Sequence, residues 1–164
     1  MNITRNKRAG AAAVAAAVAL PVTFLALQPT NAASTTGPDS FRLVERGGTF
    51  KFVDIPPKQK SDRDPPTAGD ELIFTSKLFR HGKRVGTLHA VCTVTRAAPP
   101  NRTPAVCTGG LVLREGTITL TFVGALKDKI EIAITGGTGR YAGASGTVTS
   151  ESKGRISIDT VHLQ

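Results

Sequence analysis

The sequence predicts an all-β fold, an eight-stranded antiparallel β-barrel, on three observations. Short segments alternate apolar and polar residues: Ile118, Leu120 and Phe122 oppose Thr117, Thr119 and Thr121, while Ile130, Ile132 and Ile134 oppose Glu131, Ala133 and Thr135. Residues two apart share one side of a pleated strand, so each such segment has one apolar face. Turn residues recur between the segments at antiparallel spacing. No proline falls inside any of them, as the missing amide donor requires. An even number of antiparallel strands favours closure, because a closed barrel leaves no free edge.

The chain begins with an expected export signal over residues 1–32. Arg5, Lys7 and Arg8 precede an uncharged stretch rich in Ala, Val and Leu, which ends in the small residues Asn31-Ala32-Ala33. This is the three-part order of a secretory signal, cut after Ala32 or Ala33. Pro21 interrupts the run, and small residues rather than a basic cluster follow it, so it reads as a cleaved signal and not as a membrane anchor. A small, polar, flexible leader is expected over 33–48, and the barrel domain over 49–164. Its strands are expected at 49–55, 70–80, 85–95, 105–114, 117–123, 129–135, 147–152 and 155–162. A Pro-, Lys- and Asp-rich loop spans 56–69, and a proline-rich connection spans 97–104.

Composition narrows the function. The 164 residues carry 21 Lys+Arg against 12 Asp+Glu. Without the three basic residues of the signal, 18 remain, a net charge of +6. The excess charge either draws a basic exported protein to anionic cell-wall surfaces or, as its scatter favours, serves solubility alone. The charges are scattered, and one Tyr with no Trp supplies little for base stacking, so nucleic acid is not the expected partner. Two Cys cannot build a four-thiolate zinc site, and no metal-ligand spacing is present.

Cys92 and Cys107 are expected to form a disulfide. A hairpin folding at Pro99-Pro100 pairs residues whose numbers sum to 199, and this places the two cysteines directly opposite each other. An exported chain also meets the oxidising conditions that a disulfide needs. The competing reading is a thiol nucleophile, for which His89 is the one base nearby in sequence.

Gly137, Gly139 and Ala142 satisfy the dinucleotide fingerprint G-x-G-x-x-A, but β-branched Thr147 and Val148 follow where a helix would have to open. The cluster therefore reads as a tight turn with close backbone packing. No nucleophile triad is present. The remaining candidates are isolated. Asp54 ends an apolar strand, either solvated or as an acid at a cavity mouth. Glu131 faces the lumen and binds ligand if its isoleucine neighbours face outward into a trimer, and is solvated if they face inward. Tyr141, the single tyrosine, is core packing or a hydrogen-bonding group at a pocket rim beside Arg140. His89 is a strand residue or a ligand contact. A carboxylate buried among apolar walls would have its pKa raised and could serve as a general acid.

The series Val53-Asp54-Ile55, Gly69-Asp70-Glu71-Leu72-Ile73-Phe74-Thr75, Gly82-Lys83-Arg84-Val85-Gly86-Thr87, Gly116-Thr117-Ile118 and Gly136-Gly137-Thr138-Gly139-Arg140-Tyr141-Ala142-Gly143-Ala144 resembles the dirigent and allene oxide cyclase-like barrel family over residues 50–161. The resemblance implies an eight-stranded barrel with a hydrophobic lumen, often trimeric in plants. It implies a protein that binds a hydrophobic or phenolic small molecule and guides its cyclisation or coupling without a cofactor, an isomerase-like action. The alternative is a non-catalytic ligand-binding or envelope-associated barrel. By resemblance Asp54 is the cavity acid, and Arg140 and Tyr141 orient the ligand. Ser145 stands where dirigents usually carry Arg, so one polar cavity group of the plant members is missing.

Overall fold

The computed structural model describes residues 40–61, 64–99 and 102–164. They form eight strands: β1 (Ser40–Val53), β2 (Glu71–Arg80), β3 (Lys83–Val94), β4 (Pro104–Leu113), β5 (Gly116–Ala125), β6 (Lys129–Gly137), β7 (Gly146–Lys153) and β8 (Ile156–Leu163). A single 3₁₀ turn, Gly139–Tyr141, lies between β6 and β7. Each strand pairs antiparallel with its sequence neighbours, and β1 pairs with β8 to close the barrel. The expected export signal and the first part of the expected leader lie outside the described residues.

The leader boundary requires correction. β1 starts at Ser40, well before residue 49. Phe41 and Leu43 are buried while Arg42 is exposed. This alternation is stabilised by a partner remote in sequence, since Ser40–Glu45 pairs with residues from His162 back to Ser157. Gly47 and Gly48 then interrupt the strand. The register against β2 shifts between Arg46 and Thr49, Gly47 has φ +59°, and a side chain on Gly48 would collide with the Thr75 carbonyl. Such a bulge bends a strand away from its partner. Beyond it β1 keeps β2 but loses β8.

The barrel runs between two ends. At its waist Leu43, Leu78, Leu111, Ile118, Val148 and Val161 are each no more than 1% exposed. Burying a side chain of this kind contributes roughly 1.5–3 kcal/mol, so this layer anchors the fold. Towards one end the lumen is lined by Cys92, Cys107 and Phe122. Towards the other lie Phe41 and Tyr141, rings 6.4 Å apart. At this second end the glycine cluster is a tight turn: Gly139 has φ +60°, and a side chain there would strike the Glu115 carbonyl.

Cys92 and Cys107 stand opposite each other on β3 and β4, Cα atoms 3.9 Å apart, and form a disulfide. The register from Gly86↔Leu113 to Val94↔Ala105 keeps the sum expected from the hairpin. Asp70, fully buried, ties the loop after β1 to the start of β2. Its carboxylate accepts from the Ile55 amide (2.9 Å) and the Thr67 amide (2.7 Å). Replacing both cysteines by Ala is expected to cost about 3 kcal/mol of stability, because the crosslink restricts the unfolded chain. Denaturant unfolding of the double variant measures this.

Candidate active site

The disulfide half of the lumen encloses a cavity of about 100 Å³. Its wall is mostly apolar: Phe74 from β2, Leu88 and Ala90 from β3, Leu111 from β4, Leu120 and Phe122 from β5, Ile130 and Ile132 from β6, with Leu126 from the turn between β5 and β6. Into this wall project Glu45 from β1, Ser150 from β7 and Asp159 from β8. A space of that size exceeds several-fold what one water molecule needs.

The two carboxyls meet because of the closing seam. Asp159 pairs with Leu43, and Glu45 with Ser157, so Glu45 and Asp159 lie diagonally across the β1–β8 ladder on the inner face. Diagonal neighbours on one face are within reach of long side chains. Burial raises the Glu45 pKa to about 8, helped by the charge of Asp159 and by contact with its carboxyl, while contact with Ser76 opposes the rise. Burial also raises Asp159, tempered by contacts with Glu45 and Ser150. These contacts are loose, since neither Asp159 oxygen has an aligned protein hydrogen bond. Two carboxylates this close in an apolar wall cannot both be charged cheaply. Burial therefore favours keeping a proton on the pair, on Glu45 above all, and Asp159 presents its oxygens to the cavity.

The structure does not bring the sequence-derived candidates together in this cavity. Glu131 is exposed on the outer face of β6, paired with Thr149, because Ile130 and Ile132 face inward. His89 is exposed on the outer face of β3, its imidazole Nε2 3.0 Å from the Thr87 hydroxyl. Asp54 lies just past β1 and accepts from the Gln59 amide at 3.1 Å, away from the cavity lining. Tyr141 and Arg140 are at the opposite end. There the Tyr141 hydroxyl donates to Glu115 (3.4 Å) and Arg140 pairs with Glu115 (3.5 Å). Burial is the main cause of a raised Tyr141 pKa, followed by the Glu115 charge.

Sequence reasoning missed both lumenal carboxyls. Glu45 fell in the expected leader, although Phe41, Leu43 and Glu45 continue one strand face. In β8 the apolar Ile156 and Ile158 suggest the inner face, yet Ser157, Asp159 and Val161 occupy it. Both faces of β8 are mixed in the sequence, and it is the burial of Val161 in the structure that shows which of them faces in.

The family model described as "Allene oxide cyclase barrel like domain" matches residues 54–153. The chain belongs to that barrel family. Among curated proteins no sequence match is significant. Solved structures of similar shape include pyocyanin demethylase, at 24% identity and TM-score 0.65, covering 76% of this chain and 99% of that one. A pterocarpan synthase dirigent protein matches at 14% identity and TM-score 0.54, covering 76% and 90%. An exo-specific intermolecular Diels-Alderase matches at 14% identity and TM-score 0.52, covering 76% and 97%. At these identities the likeness is one of fold.

The raised Glu45 pKa makes stability depend on pH. Below about 4.5 the carboxyl is neutral whether the chain is folded or not. Between about 4.5 and about 8 the unfolded chain releases this proton and the folded barrel retains it, so rising pH favours unfolding. Above that range this contribution is lost. Thermal melts across the window are expected to show Tm falling as pH rises, with a flatter slope for Glu45→Gln. An identical slope in the variant would remove Glu45 as the cause.

Proposed function

We propose that the barrel binds a hydrophobic or phenolic small molecule in the disulfide-end cavity and guides its cyclisation or coupling, with Glu45 and Asp159 moving the proton. The observation that carries this reading is a pair of neighbouring lumenal carboxyls inside an apolar wall, both with pKa raised by burial. Neutral Glu45 donates to an oxygen of the ligand on which negative charge develops, and Asp159 accepts a proton from the ligand. For cyclisation the sum is an isomerisation with no change of oxidation state; coupling would join two partners already oxidised elsewhere, so neither needs a cofactor in the barrel. The rigid wall supplies orientation by holding the reacting ends together, and well-oriented intramolecular reactions gain heavily from this. Proton transfer from a positioned group contributes typically about 10²–10⁴-fold.

The cavity is smaller than the roughly 300–1,000 Å³ of drug-sized ligand sites. It suits a small ligand, or one ring of a larger one. A groove of about 250 Å³ runs beside it between the outer half of β1 and the β7–β8 turn. Glu45 and Phe74 line both spaces. Phe50, 67% exposed in that groove, gives a longer ligand an apolar surface outside the barrel.

Export through a cleaved signal fits the disulfide, which needs an oxidising compartment. Exposed Val91, Val106 and Val123 on the outside of β3–β5 support a homo-oligomer, such as a trimer. The basic surface supports contact with an anionic cell wall.

The test begins with small molecules retained by protein from its native source, identified by mass spectrometry and returned to ligand-free barrel. Conversion to a cyclised or coupled product, slowed about 10²-fold or more by Glu45→Gln and by Asp159→Asn, supports the proposal. Retention with no conversion, or conversion indifferent to both substitutions, leaves a binding barrel.

A further inference from the structure

The end of the barrel remote from the carboxyl pair carries a second cavity, also of about 100 Å³. The packed waist separates the two spaces: Leu43 borders this one, Leu111 and Val148 border the other, and all three are essentially fully buried. The inner surface here is apolar, made by Phe41, Leu43, Val85 and Leu113. The rim is cationic, with Arg80 and Arg114 both lining it.

Most arginines among the described residues have no ion-pair partner, and these two are set apart by lining one apolar pocket together. Among the described residues no carboxylate lies within ion-pair distance of either. The one acid at the rim, Glu115, is engaged by Arg140 and by the Tyr141 hydroxyl. Counting Arg80, Arg114 and Arg140 against Glu115 leaves two uncompensated positive charges. Arg80 is half-buried and stacked over Phe41, its guanidinium carbon 5.0 Å from the ring centroid. A stacked guanidinium keeps its planar donors ready for a carboxylate or phosphate and loses little freedom on binding one.

We infer that this pocket is a second binding site, for a small amphiphilic anion: a carboxylate or phosphate head between Arg80 and Arg114, and a short apolar or aromatic tail against Phe41, Val85 and Leu113. The inference is independent of the proton-transfer reading, because no residue is shared between the two cavities. It also accounts for the Tyr141–Glu115–Arg140 cluster, which draws the acid of the rim away from the two free arginines. Tyr141 and Arg140 are positioning residues in this arrangement.

Benzoate, phenyl phosphate, inorganic phosphate and uncharged benzyl alcohol are the probes, titrated into the full barrel and followed by amide NMR shifts and calorimetry. Benzoate or phenyl phosphate is expected to shift the amides of Val85, Leu113 and Tyr141. Which of the two binds more tightly identifies the head group. Benzyl alcohol and inorganic phosphate, each lacking one half of the recognition, are expected to bind at least about tenfold more weakly, the scale of a charge-assisted hydrogen bond. Arg114→Ala, at an exposed position that leaves packing intact, is expected to weaken benzoate about tenfold, and Arg80→Lys to weaken it as well, since an ammonium does not reproduce the fork. Both variants should keep the parent's amide shifts around Glu45 and Asp159, away from the substituted rim. Equal affinity for benzoate and benzyl alcohol, undiminished benzoate binding by both arginine variants, or shifts confined to the Glu45–Asp159 cavity would each overturn the site.

Discussion

The pairing of β1 with β8 is the constraint on which the rest depends. It joins the first and last described strands and removes the free edges of the sheet. It also sets the two lumenal carboxyls against each other, since Glu45 and Asp159 are diagonal across that ladder. A slip of one residue in this register would turn the inner face of either strand outward. Leu43 and Val161 would leave the waist together with the carboxyls. Closure and the site are therefore one event, enforced by the same apolar residues. The Gly47-Gly48 bulge ends the seam immediately after Glu45, so the carboxyl lies where the barrel wall begins to open.

The waist divides the interior into two chemically opposite halves. One holds acids in an apolar wall beside the disulfide. The other has an apolar lining and a rim with excess guanidinium charge. Low dielectric governs the first, because burial favours keeping a proton on the pair. Unpaired charge at a partly wet surface governs the second. A single closed sheet supports both because every inner position along a strand is a separate choice of side chain.

Most of the fold was legible in the sequence. The period-two segments and the turns between them located β2 to β8 to within a few residues, and the hairpin sum placed Cys92 opposite Cys107. The start of β1 was not legible, because residues 40–46 become a strand only through a partner at the other end of the chain. The carboxyl pair was illegible for a related reason. In β8 both faces are mixed, so alternation alone does not say whether Ile158 or Asp159 faces in. That choice is made across the sheet, by Val44 and Glu151 outside and by Leu43 and Ser150 inside. Glu131 and His89 resolve the other way, on outer faces set by the isoleucines of β6 and by Leu88 and Ala90 of β3.

Direct titration of the Glu45 side-chain carboxyl, by carbon NMR of protein labelled at glutamate and assigned with Glu45→Gln, tests the central claim most directly. The account predicts a midpoint near 8, moving down when Asp159 is replaced by Asn because the neighbouring negative charge is gone. A midpoint near the ordinary 4.5, unaffected by Asp159→Asn, would contradict a buried carboxyl pair in a closed apolar lumen.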